Sequence, residues 1–388
     1  MTLFFAGASP AASPPTGNPA PTLPQWTNAP WTDPNFFPIA VWLQAPANAR
    51  RYRAAGINTY IGLWQGPTEA QLTALRQAGM YIICEQNEVA RRHLSDTNIL
   101  AWMHGDEPDN AQPRSDGPGW GPPIPPAQIE ADYQRLRATD PTRPVMLNLG
   151  QGVAWDGWPG RGVRSNHPED YPEYLKGCDV VSFDIYPAVH NNPAVAGNLW
   201  FVARGVQRLI QWSEGRQSVW NCIECTHIGN PDRKATPQEV RAEVWMSLIH
   251  GSRGLIYFVH QFQPTFVEAA LLADPEMLSA ITAINRQIHE LALVLNHPTV
   301  TNVVKVTSSN PDVPIATQVK QPEGATYLFA VGMRSGQTEA TFQLNEISGA
   351  TTVEVIGENR NLPVKNGRFT DHFNPWDVHL YRLSRRPQ

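Results

Sequence analysis

Short apolar runs alternate with helix-like patterns along the first three quarters of the chain. Eight runs have the length and the β-branched and aromatic content of strands, and parallel strands that are covered on both faces are apolar along most of their length. These runs lie at 36–43, 57–64, 80–85, 98–105, 144–150, 179–186, 218–225 and 255–262. Eight strands that are each followed by a helix predict an α/β fold, a (β/α)8 TIM barrel, with a doubly wound open sheet as the alternative.

The segments between these runs carry the signals of helix ends. Thr68 and Thr236 each begin a capping box, in which Gln or Glu follows three residues later, and Pro237 suits the first helical position. Asp274 precedes a longer helix whose apolar stripe repeats every three or four residues. That stripe consists of Leu278, Ile281, Ile284, Ile288 and Leu291. We expect such helices to cover the outside of the barrel.

The pattern changes near residue 297. Short strand-like stretches are separated there by Asn-Pro, Glu-Gly, Ser-Gly and Asn-Gly turn signals, which predicts a small C-terminal antiparallel β-sandwich. At the other end, residues 8–24 are rich in Pro, Ala and Ser and cannot build a core. We therefore predict a linker at 1–24, a catalytic barrel at 25–296 and an accessory sandwich at 297–388.

Composition and charge exclude several classes of protein. The 388 residues carry a formal net charge of −5 and no basic run, which argues against a nucleic-acid partner. No apolar stretch approaches the roughly 20 residues that a membrane span needs. The N-terminal Pro/Ala/Ser tract is compatible with secretion or a periplasmic location, although no signal peptide is visible in the sequence. The sequence indicates no protein partner.

Cys222 and Cys225 form a CxxC motif inside a strand-like run. Residues three apart on a strand point to opposite faces, so we interpret both as buried structural thiols and not as metal ligands. The first strand-like run lacks the His-x-His of metal-dependent barrel hydrolases. The sequence therefore predicts neither a metal nor a cofactor.

Carboxylates follow several of the predicted strands. Glu85 follows the third, Asp106 and Glu107 follow the fourth, Asp184 lies near the end of the sixth, and Glu224 lies at the end of the seventh. In a barrel of this kind the active site is built at the C-terminal ends of the strands. Cleavage of a glycosidic bond needs two carboxyl groups that flank the bond, and strands four and seven face each other across the barrel mouth.

This arrangement resembles that of the clan A glycoside hydrolases, which have a Glu after strand four and a Glu at the end of strand seven. The likeness covers about residues 36–262, and the segments HGDEPD and NCIEC carry it. The resemblance implies a retaining glycosidase with Glu107 as acid/base and Glu224 as nucleophile, and Tyr186 matches a tyrosine that often bonds the nucleophile. Asp106 stands where the clan usually has Asn, so the family within the clan and the sugar remain open.

Other polar and aromatic residues at strand ends suit a carbohydrate substrate, because sugar rings stack on aromatic faces while polar groups bind their hydroxyls. The stacking candidates are Trp42, Trp64, Trp155 and Trp158, and the candidates for hydroxyl contacts are Glu85, Asp106, Asn148, Asp184, His227, His260 and Gln261. The alternative function is a barrel that binds carbohydrate without cleaving it.

Overall fold

A computed structural model describes residue 26 and residues 30–345 and 351–383 of the chain. The predicted linker at 1–24 lies outside the described residues. Within them, a parallel sheet surrounded by helices is followed by two antiparallel sheets. The predicted fold class, a TIM barrel with a C-terminal β-sandwich, is confirmed.

The barrel sheet contains nine strand segments in the order β7-β6-β5-β4-β3-β2-β1-β9-β8. They are β1 (Ile39–Trp42), β2 (Thr59–Ile61), β3 (Tyr81–Cys84), β4 (Ile99–Met103), β5 (Val145–Leu149), β6 (Val180–Phe183), β7 (Ser218–Val219), β8 (Asn221–Glu224) and β9 (Leu255–Phe258). β7 and β8 are two parts of one strand that is interrupted at Trp220. Because β7 pairs with β6 while β8 pairs with β9, the sheet closes into a barrel of eight strands.

The side chain at the break is tightly packed. The Trp220 side chain is fully buried and lies against the backbone of Gly254, where a Cβ atom would come within 2.4 Å of the indole ring. Only glycine leaves room for the ring at that position. Before the break, β7 pairs with β6 through Val180 and Val181 alone.

Helices cover the outside of the barrel, and none of those described is long and apolar enough to cross a membrane. They are α1 (Ala49–Ala54), α2 (Glu69–Gln77), α3 (Glu88–Arg91), α4 (Pro126–Thr139), α5 (Tyr171–Tyr174), α6 (Phe201–Trp212), α7 (Pro237–Ile249), α8 (Pro275–Glu290) and α9 (Ala292–Asn296). The capping boxes at Thr68 and Thr236 are both present. Asp274 caps α8, which buries Ile281, Ile284 and Ile288 against the barrel.

The C-terminal part consists of two sheets, in the orders β10-β12-β13-β18-β15-β16 and β11-β14-β17. Their strands are β10 (Thr299–Val300), β11 (Val304–Ser308), β12 (Ile315–Lys320), β13 (Thr326–Gly332), β14 (Thr338–Leu344), β15 (Thr352–Val355), β16 (Arg360–Pro363), β17 (Arg368–Phe373) and β18 (Val378–Leu383). Stacked rings of Phe342 and Phe369, 4.6 Å apart, lie in the core between the sheets.

The sandwich is joined to the barrel by a shared apolar core. Phe329 and Val331 of β13 belong to the same buried cluster as the barrel strands, and the Phe329 ring lies 5.1 Å from the Trp245 ring of α7. The Gln318 amide adds hydrogen bonds of 3.2 Å to the carbonyls of Leu248 and Ile249. The sandwich therefore braces α7, the helix that follows the seventh strand of the barrel.

This shared core predicts that the two parts unfold together. Phe329→Ala should lower the free energy of unfolding by about 3–5 kcal/mol, because it leaves a cavity between the parts. Thermal denaturation followed by near-UV circular dichroism should show one transition at a lower temperature. The control Leu293→Ala, on an exposed part of α9, should leave the transition temperature almost unchanged. Two separate transitions, with the barrel unaffected by Phe329→Ala, would contradict this expectation.

Candidate active site at the barrel mouth

Three carboxyl groups meet at the C-terminal ends of β4 and β6. Asp106 and Glu107 follow β4, and Asp184 directly follows β6. Asp106 is exposed, Glu107 is half-buried and Asp184 is almost fully buried, so the group extends from the surface into the barrel. We call Asp106, Glu107 and Asp184 the carboxylate cluster.

Asn148, in β5, holds two members of the cluster together. Its side-chain amide donates hydrogen bonds to Asp106 (2.8 Å) and to Asp184 (3.1 Å). The Ser182 hydroxyl donates to the Asn148 carbonyl oxygen at 2.6 Å, which orients the amide. Because one nitrogen contacts both carboxylates, their bonded oxygens are at most about 6 Å apart.

The other oxygen of Asp184 accepts a hydrogen bond of 2.8 Å from the Tyr186 hydroxyl. The Cys222 thiol lies on the same side, 4.0 Å from the Asn148 carbonyl oxygen. Asp184 is thus surrounded by donors that favour its ionised form.

Crowding changes the acidity of the cluster. The pKa of Glu107 is raised well above its ordinary value, first by loss of hydration and then by the charges of Asp184 and Asp106. The pKa of Asp106 is also raised, by loss of hydration and by Asp184, although its exposed surface limits this effect. The pKa of Asp184 rises through burial, against the hydrogen bonds that it accepts. Like charges this close do not all ionise together, so the cluster retains a proton that it can donate.

Glu107 is held by a second set of contacts. Its backbone adopts a left-handed conformation with φ of 43°, which costs a non-glycine residue on the order of 1–3 kcal/mol and persists only where surrounding contacts impose it. Its backbone N–H donates to the Asn148 carbonyl at 3.2 Å. Asn110 donates to the Glu107 carboxylate at 2.8 Å and accepts from the Trp158 indole at 2.9 Å. The indole can only donate, so it determines which end of the Asn110 amide faces Glu107.

The loop that carries Glu107 is anchored by a buried network. The Asp109 side chain is fully buried and accepts hydrogen bonds from the Gly150 amide at 2.8 Å and from the Tyr171 hydroxyl at 3.0 Å. The Arg161 guanidinium, almost fully buried as well, donates to the Asp109 carbonyl at 3.2 Å. These contacts place Glu107 on a rigid support, as general acid catalysis requires.

Glu224 lies outside this arrangement. Its side chain is fully buried, and its two oxygens accept hydrogen bonds from the backbone amides of Ala188 (2.5 Å) and Val189 (2.9 Å). Its nearest acidic neighbour is Glu243 of α7, and no donor from the described residues bonds to the Glu243 carboxyl. The assignment of Glu224 as nucleophile therefore stays a prediction.

Glu224 and Glu243 form a buried carboxyl pair. Burial raises the pKa of Glu224 to about 7, against the hydrogen bonds from Glu243 and from the two amides. The pKa of Glu243 is raised well above its ordinary value, by burial first and by the Glu224 charge next. Burial and the neighbouring charge therefore both favour the protonated form of Glu243.

The remaining predicted residues lie in four different places. Trp42 is buried in the barrel core, whereas Trp64 and Glu85 are exposed at the mouth. His260 is buried and its Nε2 lies 3.1 Å from the Gln44 amide, which donates to it. His227 and Gln261 line a cavity of about 410 Å³ between the loops after β8 and β9, together with Lys234 and Asp274.

Cys222 and Cys225 are free and buried, as expected, and they contact different groups. The Cys222 sulfur faces Asn148, whereas the Cys225 thiol donates to the Phe258 carbonyl at 3.4 Å. Among the described residues, no group of three or more His, Cys, Asp or Glu side chains is arranged to hold a metal ion.

Sequence reasoning missed two functional candidates. Asn110 follows Glu107 closely, and its polar character inside a loop was a usable signal. Glu243 could not be found this way, because a Glu within an amphipathic helix normally faces solvent.

Comparison with solved structures places the fold among barrels that carry a C-terminal β-domain. An alpha-amylase from Geobacillus thermoleovorans, solved with acarbose, matches 91% of this chain and 99% of its own with a TM-score of 0.56 at 10% identity. An alpha-galactosidase candidate from Bacteroides fragilis matches 90% and 80% (TM-score 0.55, 8% identity), and an Anoxybacillus alpha-amylase matches 88% and 90% (TM-score 0.51, 8% identity). At sequence identities this low, the structural similarity shows a shared fold and nothing more.

No protein-family model matches the chain, and no curated protein sequence is significantly similar to it. The resemblance to clan A glycoside hydrolases implies this fold. Only the comparison of structures, and no comparison of sequences, supports it.

The buried carboxyl pair predicts a pH-dependent stability. A carboxyl whose folded-state pKa lies above its unfolded value stabilises the protein fully below the unfolded pKa, and this contribution is lost as the pH rises through the folded pKa. An elevation of one pKa unit corresponds to about 1.4 kcal/mol. Glu243→Gln keeps a donor for Glu224 and has no proton to lose, so its melting temperature should exceed that of the wild type more at pH 8 than at pH 5.

Differential scanning calorimetry at several pH values measures this effect. Glu290→Gln changes the same functional group at an exposed position of α8 and serves as control. Curves for Glu243→Gln and wild type that stay parallel from pH 5 to pH 8 would show that the pair does not share a proton.

Proposed function

We propose that the protein is a glycoside hydrolase that cleaves O-glycosidic bonds of an oligo- or polysaccharide by a retaining mechanism, with Glu107 as general acid/base. The observation that carries this proposal is the carboxylate cluster at the barrel mouth. Loss of hydration and the neighbouring charges raise the pKa of Glu107 well above its ordinary value, which favours the protonated form that can donate to a leaving oxygen. The structural neighbours named as glycosidases share this fold and add support by analogy.

The reaction needs a second carboxylate on the other face of the sugar. The resemblance predicts Glu224 for this nucleophile. In the conformation described here the Glu224 side chain is fully buried and each of its oxygens accepts a backbone amide, so attack by Glu224 requires a rearrangement that exposes one oxygen to the substrate. Asp184 is the alternative nucleophile, because it belongs to the carboxylate cluster and accepts hydrogen bonds from Asn148 and Tyr186.

In either case the chemistry of Glu107 is the same. Glu107 protonates the leaving oxygen while the nucleophile attacks the anomeric carbon, which forms a covalent glycosyl-enzyme. The Glu107 carboxylate then removes a proton from an incoming water, and this water displaces the nucleophile. The hydrogen bond from Asn110 stabilises the Glu107 carboxylate during this second step.

Glu107→Ala should separate substrates by their leaving groups. Substrates with poor leaving groups need the proton and should lose about 10²–10⁴-fold in kcat/KM. Aryl glycosides with acidic phenols need little protonation, so their first step should survive, and added azide should restore their turnover because azide needs no general base. A panel of aryl glycosides assayed with and without azide measures this, with Glu88→Ala at an exposed position as control. Equal losses for both substrate classes and no azide response would remove Glu107 from this role.

A trapping experiment identifies the nucleophile. Dinitrophenyl 2-deoxy-2-fluoro glycosides react through their good leaving group, and the fluorine slows the second step, so that the glycosyl-enzyme accumulates. Peptide mass spectrometry should then find the sugar on one carboxylate. A label on Glu224 supports the assignment by resemblance, and a label on Asp184 supports the assignment by position.

Turnover with inversion at the anomeric carbon, observed by NMR, would contradict the retaining mechanism. Carbohydrate binding without any turnover would instead favour the non-catalytic alternative.

A further inference from the structure

A row of aromatic rings leads from the carboxylate cluster to the surface of the barrel. It starts at Tyr186, whose hydroxyl bonds Asp184 and whose ring lies 5.2 Å from the ring of Phe258. Phe258 lies 6.2 Å from Phe262, and Phe262 lies 5.8 Å from Phe266. The row connects the candidate catalytic site to the loop that follows β9.

Exposure increases along this row. Tyr186 is 9% exposed, whereas Phe262 and Phe266 are 47% and 63% exposed. Burial of a phenylalanine side chain stabilises a protein by about 1.5–3 kcal/mol, so these two neighbouring rings offer apolar surface that a ligand would gain free energy by covering. We call Phe262 and Phe266 the aromatic platform.

The platform is rigidly held. The backbone groups of Gln261 and Val267 exchange hydrogen bonds of 3.0 and 2.8 Å, which closes the loop beneath the two rings. The Phe262 amide donates to the Ile228 carbonyl at 2.6 Å, which attaches this loop to the loop after β8. The buried His260 ring stacks on both, with interplanar angles of 9° to Phe262 and 24° to Phe266. Rings that are fixed in this way lose little conformational entropy when a ligand binds.

Polar groups border the platform. Gln261, the residue immediately before Phe262, lines the cavity of about 410 Å³ that also contains His227 and the ion pair of Lys234 and Asp274. An apolar surface next to convergent hydrogen-bonding groups suits a ligand with apolar faces and hydroxyl edges. A sugar ring has this character, and the position of the platform in the barrel mouth places it beside a chain that enters the carboxylate cluster.

We propose that the aromatic platform is a distal binding site for the carbohydrate chain, at which a sugar unit remote from the scissile bond stacks on Phe262 and Phe266. This inference deepens the proposed function and rests on it for the nature of the ligand. If the platform binds a sugar unit in this way, the substrates of the protein are longer than a disaccharide. Small aryl glycosides, which occupy the carboxylate cluster alone, do not reach the platform.

The test measures binding separately from turnover. Affinity electrophoresis in gels that contain arabinoxylan, barley β-glucan, glucomannan or soluble starch compares wild type with Phe262→Ala/Phe266→Ala. The wild type should be retarded by at least one of these polysaccharides, and the double variant should bind it about tenfold more weakly. Leu293→Ala removes an exposed apolar side chain from α9 and should bind like the wild type.

Each outcome bears on the proposal in a defined way. Unchanged retardation of the double variant, or no retardation of the wild type by any of the four polysaccharides, would overturn it, even if aryl glycosides are hydrolysed. Loss of retardation in the double variant supports it, even if no hydrolysis is found, in which case the proposed catalytic function fails alone. A wild-type dimer that the double substitution converts to a monomer in analytical ultracentrifugation would show that the platform is a contact between two copies of the chain, and would also overturn it.

Discussion

The arrangement of the barrel mouth depends on the hydrogen bonds that the side-chain amide of Asn148 donates. Two carboxylates that approach each other in a partly dehydrated space repel strongly, and this arrangement is stable only where donors lie between them. The Asn148 amide supplies these donors to Asp106 and Asp184, and the Ser182 hydroxyl prevents it from turning. The Asn148 backbone carbonyl also receives the N–H of Glu107, so a single residue of β5 positions all three members of the carboxylate cluster.

The fold could be predicted from the sequence because its signals are redundant. Each strand is a continuous apolar run, and Thr68 and Thr236 mark helix starts through capping boxes that the structure contains. The sandwich was predictable from its turns. Its role was not, because the contact of Phe329 with Trp245 depends on how two distant segments meet, and nothing local in the sequence encodes that.

The candidate site was predictable in part. Asp106, Glu107, Asn148 and Asp184 lie together at the mouth, because strand ends in a barrel converge on one face. The direction of a side chain at the last residue of a strand depends on neighbours that the sequence does not reveal. His227 and Gln261 therefore lie in a separate cavity, and Glu224 faces backbone amides and α7. The Glu243 carboxyl opposite Glu224 lies on a helix whose pattern does not single it out.

The interruption of the seventh strand at Trp220 has a consequence for how the barrel wall is closed. Above the break, β8 is joined to β9, while the chain that leaves β6 presents the amides of Ala188 and Val189 to the Glu224 side chain. The Glu224 carboxylate accepts these two amides while Asn230 and Arg233 donate to the carbonyls of Val189 and Ala188, so the wall contains a seam that is closed by side chains instead of a backbone ladder. Hydrogen exchange at these two amides would then follow the protonation and motion of a single carboxyl group, independently of the opening of the rest of the barrel.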